Sequence, residues 1–297
     1  MTILFSLIML IILPAIFIIL LWRATFTSRL EWLLDAIVTM LLISWLTLSG
    51  NWSWVGYYIR FLWPLIFLFA LYFSWKKTKK LPFVTTYTGG QKFTIAIYIV
   101  LIFVFGSYNI GPIKSYTVHE EAIDLKFPMK DGTYYVGQGG NHVSMNYHQI
   151  APSQKYALDV LKINTFGIRA KGLYPNNLEK YYIFEDDLIS PCTGEILDVQ
   201  NDLNDLTPPD MDPDNPEGNH IKLLCDHHNA HIYLAHMQKG SVAVSPGDQV
   251  DEGDFIGRIG NSGNTTEPHL HIHAELNGKG VPITFDGRFL VRNSLVK

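Results

Sequence analysis

Four apolar runs fill the first 111 residues, and any fold of this chain has to bury them in lipid or in one another. They cover about residues 2–22, Trp32–Ser49, Val55–Phe73 and Phe93–Tyr108. A helix needs roughly 20 predominantly apolar residues to cross the hydrocarbon core of a bilayer. The second run is the weakest, because Asp35 shortens its clean stretch. The first lacks the basic leader and small-residue cleavage site of a secretory signal peptide. The expectation is a membrane-anchored module of four transmembrane helices over residues 1–111.

Short loops orient such a module through their Lys and Arg content. The connection around residues 75–92 holds Lys76, Lys77, Lys79, Lys80 and Lys92, whereas Gly50–Trp54 carries no charge. The lysine-rich loop is therefore expected in the cytoplasm, with both termini outside. Arg60, inside the third run, is expected to snorkel toward the outer surface. Trp45, Trp52 and Trp54 suit an interfacial belt.

Charge separates this module from the remainder of the chain. Up to Gly111 there are eight Lys or Arg against two acids, and from Pro112 onward 15 basic residues face 25 acidic ones. Residues 112–297 are expected to form one exported domain, joined through a short linker at Gly111–Thr117. Their acidity argues against nucleic acid as a partner and leaves the lipid bilayer as the first module's.

Beyond Pro112 no long period-3.6 stretch occurs. Short β-prone runs alternate with Gly, Pro, Asn and Asp, as in "NHIKLLC", "AHIYLAHM" and "HLHIHAE", so the domain is expected to be mainly antiparallel β. "KDG" at 130–132 reads as a hairpin turn. The stretch "NDLNDLTPPDMDPDNPEG" (201–218) interrupts two strands with six acids and four prolines. A calcium loop is conceivable there, but the prolines and irregular spacing favour a solvated insertion. Cys192 and Cys225 flank the strands on either side, and a bridge between them is expected, with 192 opposite 225 if 198 opposes 219. Exported thiols can also stay free and buried.

"EPHLHIHAE" (267–275) is the densest chemical signal. On a strand, alternate side chains share a face, so His269, His271, His273 and Glu275 would line one side while Leu270, Ile272 and Ala274 pack behind. A catalytic zinc needs three ligands from His, Asp, Glu or Cys. The helical H-E-x-x-H motif is absent, since "HEEAI" (119–123) ends in isoleucine, and ligands have to come from separate strands.

Three segments together resemble the lysostaphin/LytM-type zinc metallopeptidases, a family of cell-wall endopeptidases. "NYHQIAPSQKYALDV" resembles the first ligand segment, "IYLAHM" the strand bearing an active-site histidine, and "GDFIGRIGNSGNTTEPHLHIH" the glycine-rich approach to an H-x-H strand. The resemblance covers roughly residues 135–295. It implies a duplicated hybrid motif or barrel-sandwich fold and one zinc ion per chain, bound by His148, Asp159 and His271. It makes His236 and His269 the unligated catalytic histidines and peptidoglycan peptides the substrate, hydrolysed at the outer face of the cell membrane.

This sequence departs from the family pattern at three places. His148 and Asp159 lie 11 apart rather than four, which leaves His142 as a rival ligand. Glu267 stands where glycine often precedes Pro-His. His273 stands where glutamate is common, either supporting the ligands or facing solvent. His119, His220, His227, His228 and His231 have no partner that the sequence names.

Rival readings are a non-catalytic module that binds wall peptides or activates a hydrolase, a protease of a signalling peptide, and a phosphocarrier with paired histidines. The expected topology speaks against the phosphocarrier. "VSPGDQVDEGDFIG" also resembles lipoyl-carrier hairpins, but residues 241–263 hold no lysine to carry the group.

Overall fold

The computed structural model describes residues 2–297. The chain forms two compact units, Met1–Ile113 and Lys114–Lys297.

The first unit is helical. Helix α1 (Thr2–Leu7) passes through a π-turn (Ile8–Ile12) into α2 (Leu13–Arg23), just ahead of Pro14, which supplies no backbone N–H to the ladder. Next come α3 (Arg29–Ser49), α4 (Ile59–Thr78) and α5 (Gly89–Lys114). Helix α3 begins upstream of the apolar run because Ser28 and Glu31 form a reciprocal capping box. Among the described residues, four helical stretches of 20, 21, 20 and 26 residues are long and apolar enough to cross a membrane. At 1.5 Å per residue, 20 residues reach about 30 Å, the thickness of a hydrocarbon core. Ile18, Leu21, Ala36, Ile43, Phe67 and Ala70 pack together at the centre of α2, α3 and α4.

Three local expectations are corrected here. Trp52 is fully buried, its indole N–H donating to Leu46 O at 2.9 Å, instead of lying in an outer belt. Arg60 is only 7% exposed, its guanidinium 5.2 Å and 5.1 Å from the rings of Tyr57 and Phe61. Cation–π contact inside the unit replaces snorkelling. Helix α5 runs through Gly111 and Pro112 to Lys114, so the expected linker is largely helix.

The second unit is mostly antiparallel β. Its strands are β1 (Ile123–Leu125), β2 (Thr133–Gln138), β3 (Leu158–Ile163), β4 (Asp187–Ile189), β5 (Gly194–Gln200), β6 (Asn219–Cys225) and β7 (His231–Met237). They continue with β8 (Gln249–Val250), β9 (Phe255–Arg258), β10 (Leu270–Leu276), β11 (Lys279–Val281), β12 (Ile283–Phe285), β13 (Arg288–Phe289) and β14 (Leu295–Val296). Nine of them form one sheet in the order β14-β2-β3-β10-β7-β6-β5-β8, with β11 on the end of β10. Among the described residues, the parallel pairing of β1 with β12 is the exception to the antiparallel pattern.

"KDG" does turn the chain, with Asp131 at φ 60°, but it makes no hairpin. The strands on either side, β1 and β2, belong to different sheets. Alternation places Leu158, Val160, Ile196, Ile221, Leu223, Ile232, Leu234, Leu270 and Ile272 in one core. The opposite face of β10 and its neighbours carries the histidines.

Cys192 and Cys225 are bridged, with Cα atoms 5.8 Å apart. The register differs from expectation: Asp198 opposes Lys222 and Gly194 opposes Cys225, with a bulge between Ile196 and Asp198. The acidic insertion between β5 and β6 is anchored along its length. Asp205 accepts from the backbone N–H groups of Asn261 and Lys239, Asp212 N–H donates to Gly263 O, and Asn219 donates to Leu203 O. Its end, Pro216 and Glu217, walls a cleft over the histidine-bearing face.

Candidate active site

Strand register does most of the assembly. Asp159 on β3 lies directly opposite His271 on β10, and His271 lies opposite Ala235 on β7. Alternation along β10 sends Leu270, Ile272 and Ala274 into the core and leaves His271 and His273 on the other face.

His236 reaches that face by a different device. It follows Ala235, so a regular strand would turn its side chain into the core. Between Asn219–Ile221 on β6 and Leu234–Met237 on β7, however, β7 carries one extra residue, and His236 adopts φ 63°. Such a bulge lets two successive side chains share a face. Ala235 and His236 accordingly both line the cleft.

His148 comes from a 3₁₀ turn, Tyr147–Ile150, rather than a strand. The 11-residue gap to Asp159 is folded by Asn146, which is fully buried. Its amide donates to Ala157 O at 3.0 Å, Gly140 O at 3.2 Å and Lys155 O at 3.4 Å, and its oxygen accepts from His148 N–H at 3.2 Å. A second short turn, Pro152–Gln154, returns the chain to β3. Sequence reasoning missed Asn146; an amide next to a candidate ligand was the available signal.

The result is a tight cluster. His148 Nε2 is 2.9 Å and His271 Nδ1 3.1 Å from Asp159 Oδ1. Donor atoms of His148, Asp159 and His271 all lie within 4.8 Å of one another, and the three residues are 6%, 6% and 4% exposed. Ligands about 2.1 Å from a tetrahedral zinc would be about 3.4 Å apart. Two imidazoles and a carboxylate at this spacing fit a zinc ion. His142 lies apart from the group, its Nδ1 engaged with Ser144 Oγ at 2.9 Å and with Ser144 N–H.

His236 and His269 flank the cluster, their rings 4.8 Å apart. Nδ1 of His236 is 2.9 Å from Ser262 O, and Nδ1 of His269 is 2.9 Å from Glu267 O. A carbonyl oxygen can only accept, so both rings carry a proton on Nδ1, and Nε2 is the atom of each that gains or gives up the second proton. His269 Nε2 is 3.5 Å from Asp159 Oδ1.

Burial pushes the pKa of His236 well down, assisted by the neighbouring His269 and His271. Burial works to raise the Asp159 carboxyl, but the facing charges and hydrogen bonds of His148 and His269 hold it well below the usual range. Burial likewise works to lower His269, and the Asp159 carboxylate raises it instead.

The remaining departures from the expected motif acquire physical roles. Glu267 binds the buried Arg169 guanidinium at 2.5 Å, which pins the segment entering β10. Burial raises its carboxyl pKa against the charge of Arg169. His273 is buried, at 3% exposure, and stacks on Tyr233 with centroids 4.6 Å apart and planes at 7°. A solvent-facing role for it is thereby overturned. Tyr147, which donates to Asp159 Oδ2 at 3.2 Å, is another contributor the sequence did not disclose. Tyr147, Ile150, Gln154, Glu217 and Asn264 complete a cleft of about 190 Å³ over His148, His236 and His271.

Residues 189–283 match Peptidase family M23, and the chain carries an M23 domain there. That stretch contains His236, His269 and His271, while His148 and Asp159 lie before it. No curated protein matches the chain. Among solved structures, it is similar to a zinc-containing peptidase from Vibrio cholerae, at 16% identity and TM-score 0.32 over 55% of this chain and 39% of that one. It is also similar to a putative M23 peptidase from Pseudomonas aeruginosa, at 17% identity and TM-score 0.32 over 56% of this chain and 51% of that one. A third is the catalytic domain of lysostaphin from Staphylococcus simulans, at 20% identity and TM-score 0.24 over 37% of this chain and 83% of that one. The chain thus spans about half or less of the first two proteins.

Proposed function

We propose that the chain is a membrane-anchored, zinc-dependent metalloendopeptidase that hydrolyses amide bonds in peptidoglycan cross-bridges or stem peptides. His148, Asp159 and His271 hold one zinc, and His236 and His269 are the catalytic histidines. The observation that carries the reading is the convergence of all five side chains from four separate segments onto one buried point beneath an open cleft. The M23 match supports peptidase chemistry, and the resemblance to wall endopeptidases supports the substrate class.

A zinc ion bound there supplies a Lewis acid for the scissile carbonyl and acidifies an attacking water. The protein's own contribution is proton handling. With Nδ1–H committed to Ser262 O or Glu267 O, each flanking imidazole presents Nε2 to the reacting atoms. One takes the proton released as the water oxygen bonds to the carbonyl carbon. That proton passes to the leaving nitrogen as the C–N bond breaks. The other imidazole, protonated, donates to the carbonyl oxygen as it gains charge. The five lysines at 75–92 support a cytoplasmic loop, and with four spans an exterior domain, on the side where wall peptides lie.

Full-length protein in detergent, incubated with defined muropeptides, tests the reading by mass spectrometry of the products. Products carrying one new amine and one new carboxyl terminus are expected, lost on chelation and restored by zinc. Cleavage of generic peptides with every muropeptide intact would refute the substrate class; no zinc-dependent hydrolysis at all would refute the enzyme.

A further inference from the structure

We propose that His273 is a positioning residue for the metal site: its Nδ1 accepts the Nε2 proton of His271 and so fixes that ligand's ring orientation and tautomer. This role rests on the assignment of His271 as a zinc ligand. The distance between the two nitrogens is 3.0 Å, and the residues are 4% and 3% exposed.

Proton placement decides the matter. His271 turns Nδ1 toward Asp159 and the rest of the ligand set. To bind a metal, Nδ1 has to offer a lone pair, which puts the ring's proton on Nε2. A buried N–H without an acceptor is unfavourable, and His271 is a buried residue. His273 Nδ1 is the acceptor that the fold supplies, so the proton of His273 itself sits on Nε2.

His273 is in turn fixed from the side. Tyr233 lies opposite it in register on β7, and the two rings stack with their planes almost parallel. Lys222 on β6 lies opposite Tyr233, with its ammonium 5.3 Å from the Tyr233 ring. Three adjacent strands therefore build a stack whose end is the acceptor for His271. Groups that orient metal-binding histidines in this way typically contribute 10–100-fold to metal affinity.

The test measures zinc affinity of the full-length protein in detergent, by competition with a chromophoric chelator, with circular dichroism as the fold check. Asn places Oδ1 where histidine has Nδ1, Leu keeps the bulk without an acceptor, and Gln puts its oxygen one bond too far. His273→Leu is expected to weaken zinc binding about 10–100-fold, while His273→Asn stays within about threefold of wild type. His273→Gln is expected to fall with Leu, so the Asn/Gln contrast decides the matter should the Leu variant misfold. Wild-type affinity in folded His273→Leu, or Asn and Gln equally weak, would overturn the proposal. Failure of the metal-site reading looks different: His271→Ala would then bind zinc as wild type does.

Discussion

Replacing Asn146 by alanine tests how the long spacing between His148 and Asp159 is closed. The side chain is fully buried and serves four backbone groups. Two of these, the carbonyls of Gly140 and Lys155, also receive Gln149 Nε2 at 3.1 Å and 2.7 Å. The other two, Ala157 O and His148 N–H, lose the partner that Asn146 provides. A buried polar group left without a partner costs about 1–3 kcal/mol, so the pair should cost about 3 kcal/mol. Asn146→Asp should do no better. It keeps an acceptor for His148 N–H but turns a carboxylate toward three carbonyl oxygens. All seven tryptophans precede Lys76, so tryptophan fluorescence would report the helical unit alone. Hydrogen exchange of amides in β3 and β10 is the suitable assay, and a loss of about 3 kcal/mol accelerates exchange about 10²-fold where opening is global. Zinc affinity should fall as well, because His148 loses its tether. Variants that stay within about 0.5 kcal/mol of wild type, the range of ordinary surface substitutions, would refute the reasoning.

Two further outcomes are expected. His148→Ala, Asp159→Ala and His271→Ala should lose zinc and activity together, whereas His236→Ala and His269→Ala should keep zinc and lose turnover by about 10²-fold or more. His142→Ala should remain near wild type in zinc content per chain; the reverse result for Asp159 and His142 would displace the proposed ligand set. Reporter fusions at Thr85 and Ser115 should read cytoplasm and exterior respectively, and the opposite pattern would remove the domain from its proposed substrate.

Much of the site was legible because β-structure has a two-residue period. His271 and His273 on one face and Leu270, Ile272 and Ala274 behind them follow from alternation alone. The apolar runs were legible for a similar reason, since length and hydropathy fix whether a helix can span a bilayer. Their ends were not. The Ser28–Glu31 box starts α3 before its apolar run, and α5 continues past the residues that read as a linker.

What the sequence could not disclose depends on which strands become neighbours. "KDG" turns the chain wherever its flanking strands go, so a turn signal cannot say that they pair. The position of His236 rests on one extra residue in β7, a mismatch defined only against β6. Asp159 faces His271 because β3 and β10 adopt that register, although 112 residues separate them along the chain. By itself, then, the sequence determined the helical runs, the strand faces and the residue types able to hold a metal, all of them local periodicities. Only the tertiary structure decided that His148 closes on Asp159 through Asn146, that Glu267 holds Arg169, and that His273 turns inward to His271. Those contacts depend on register, bulges and buried hydrogen-bond partners, which are properties of pairs of distant segments rather than of any one stretch.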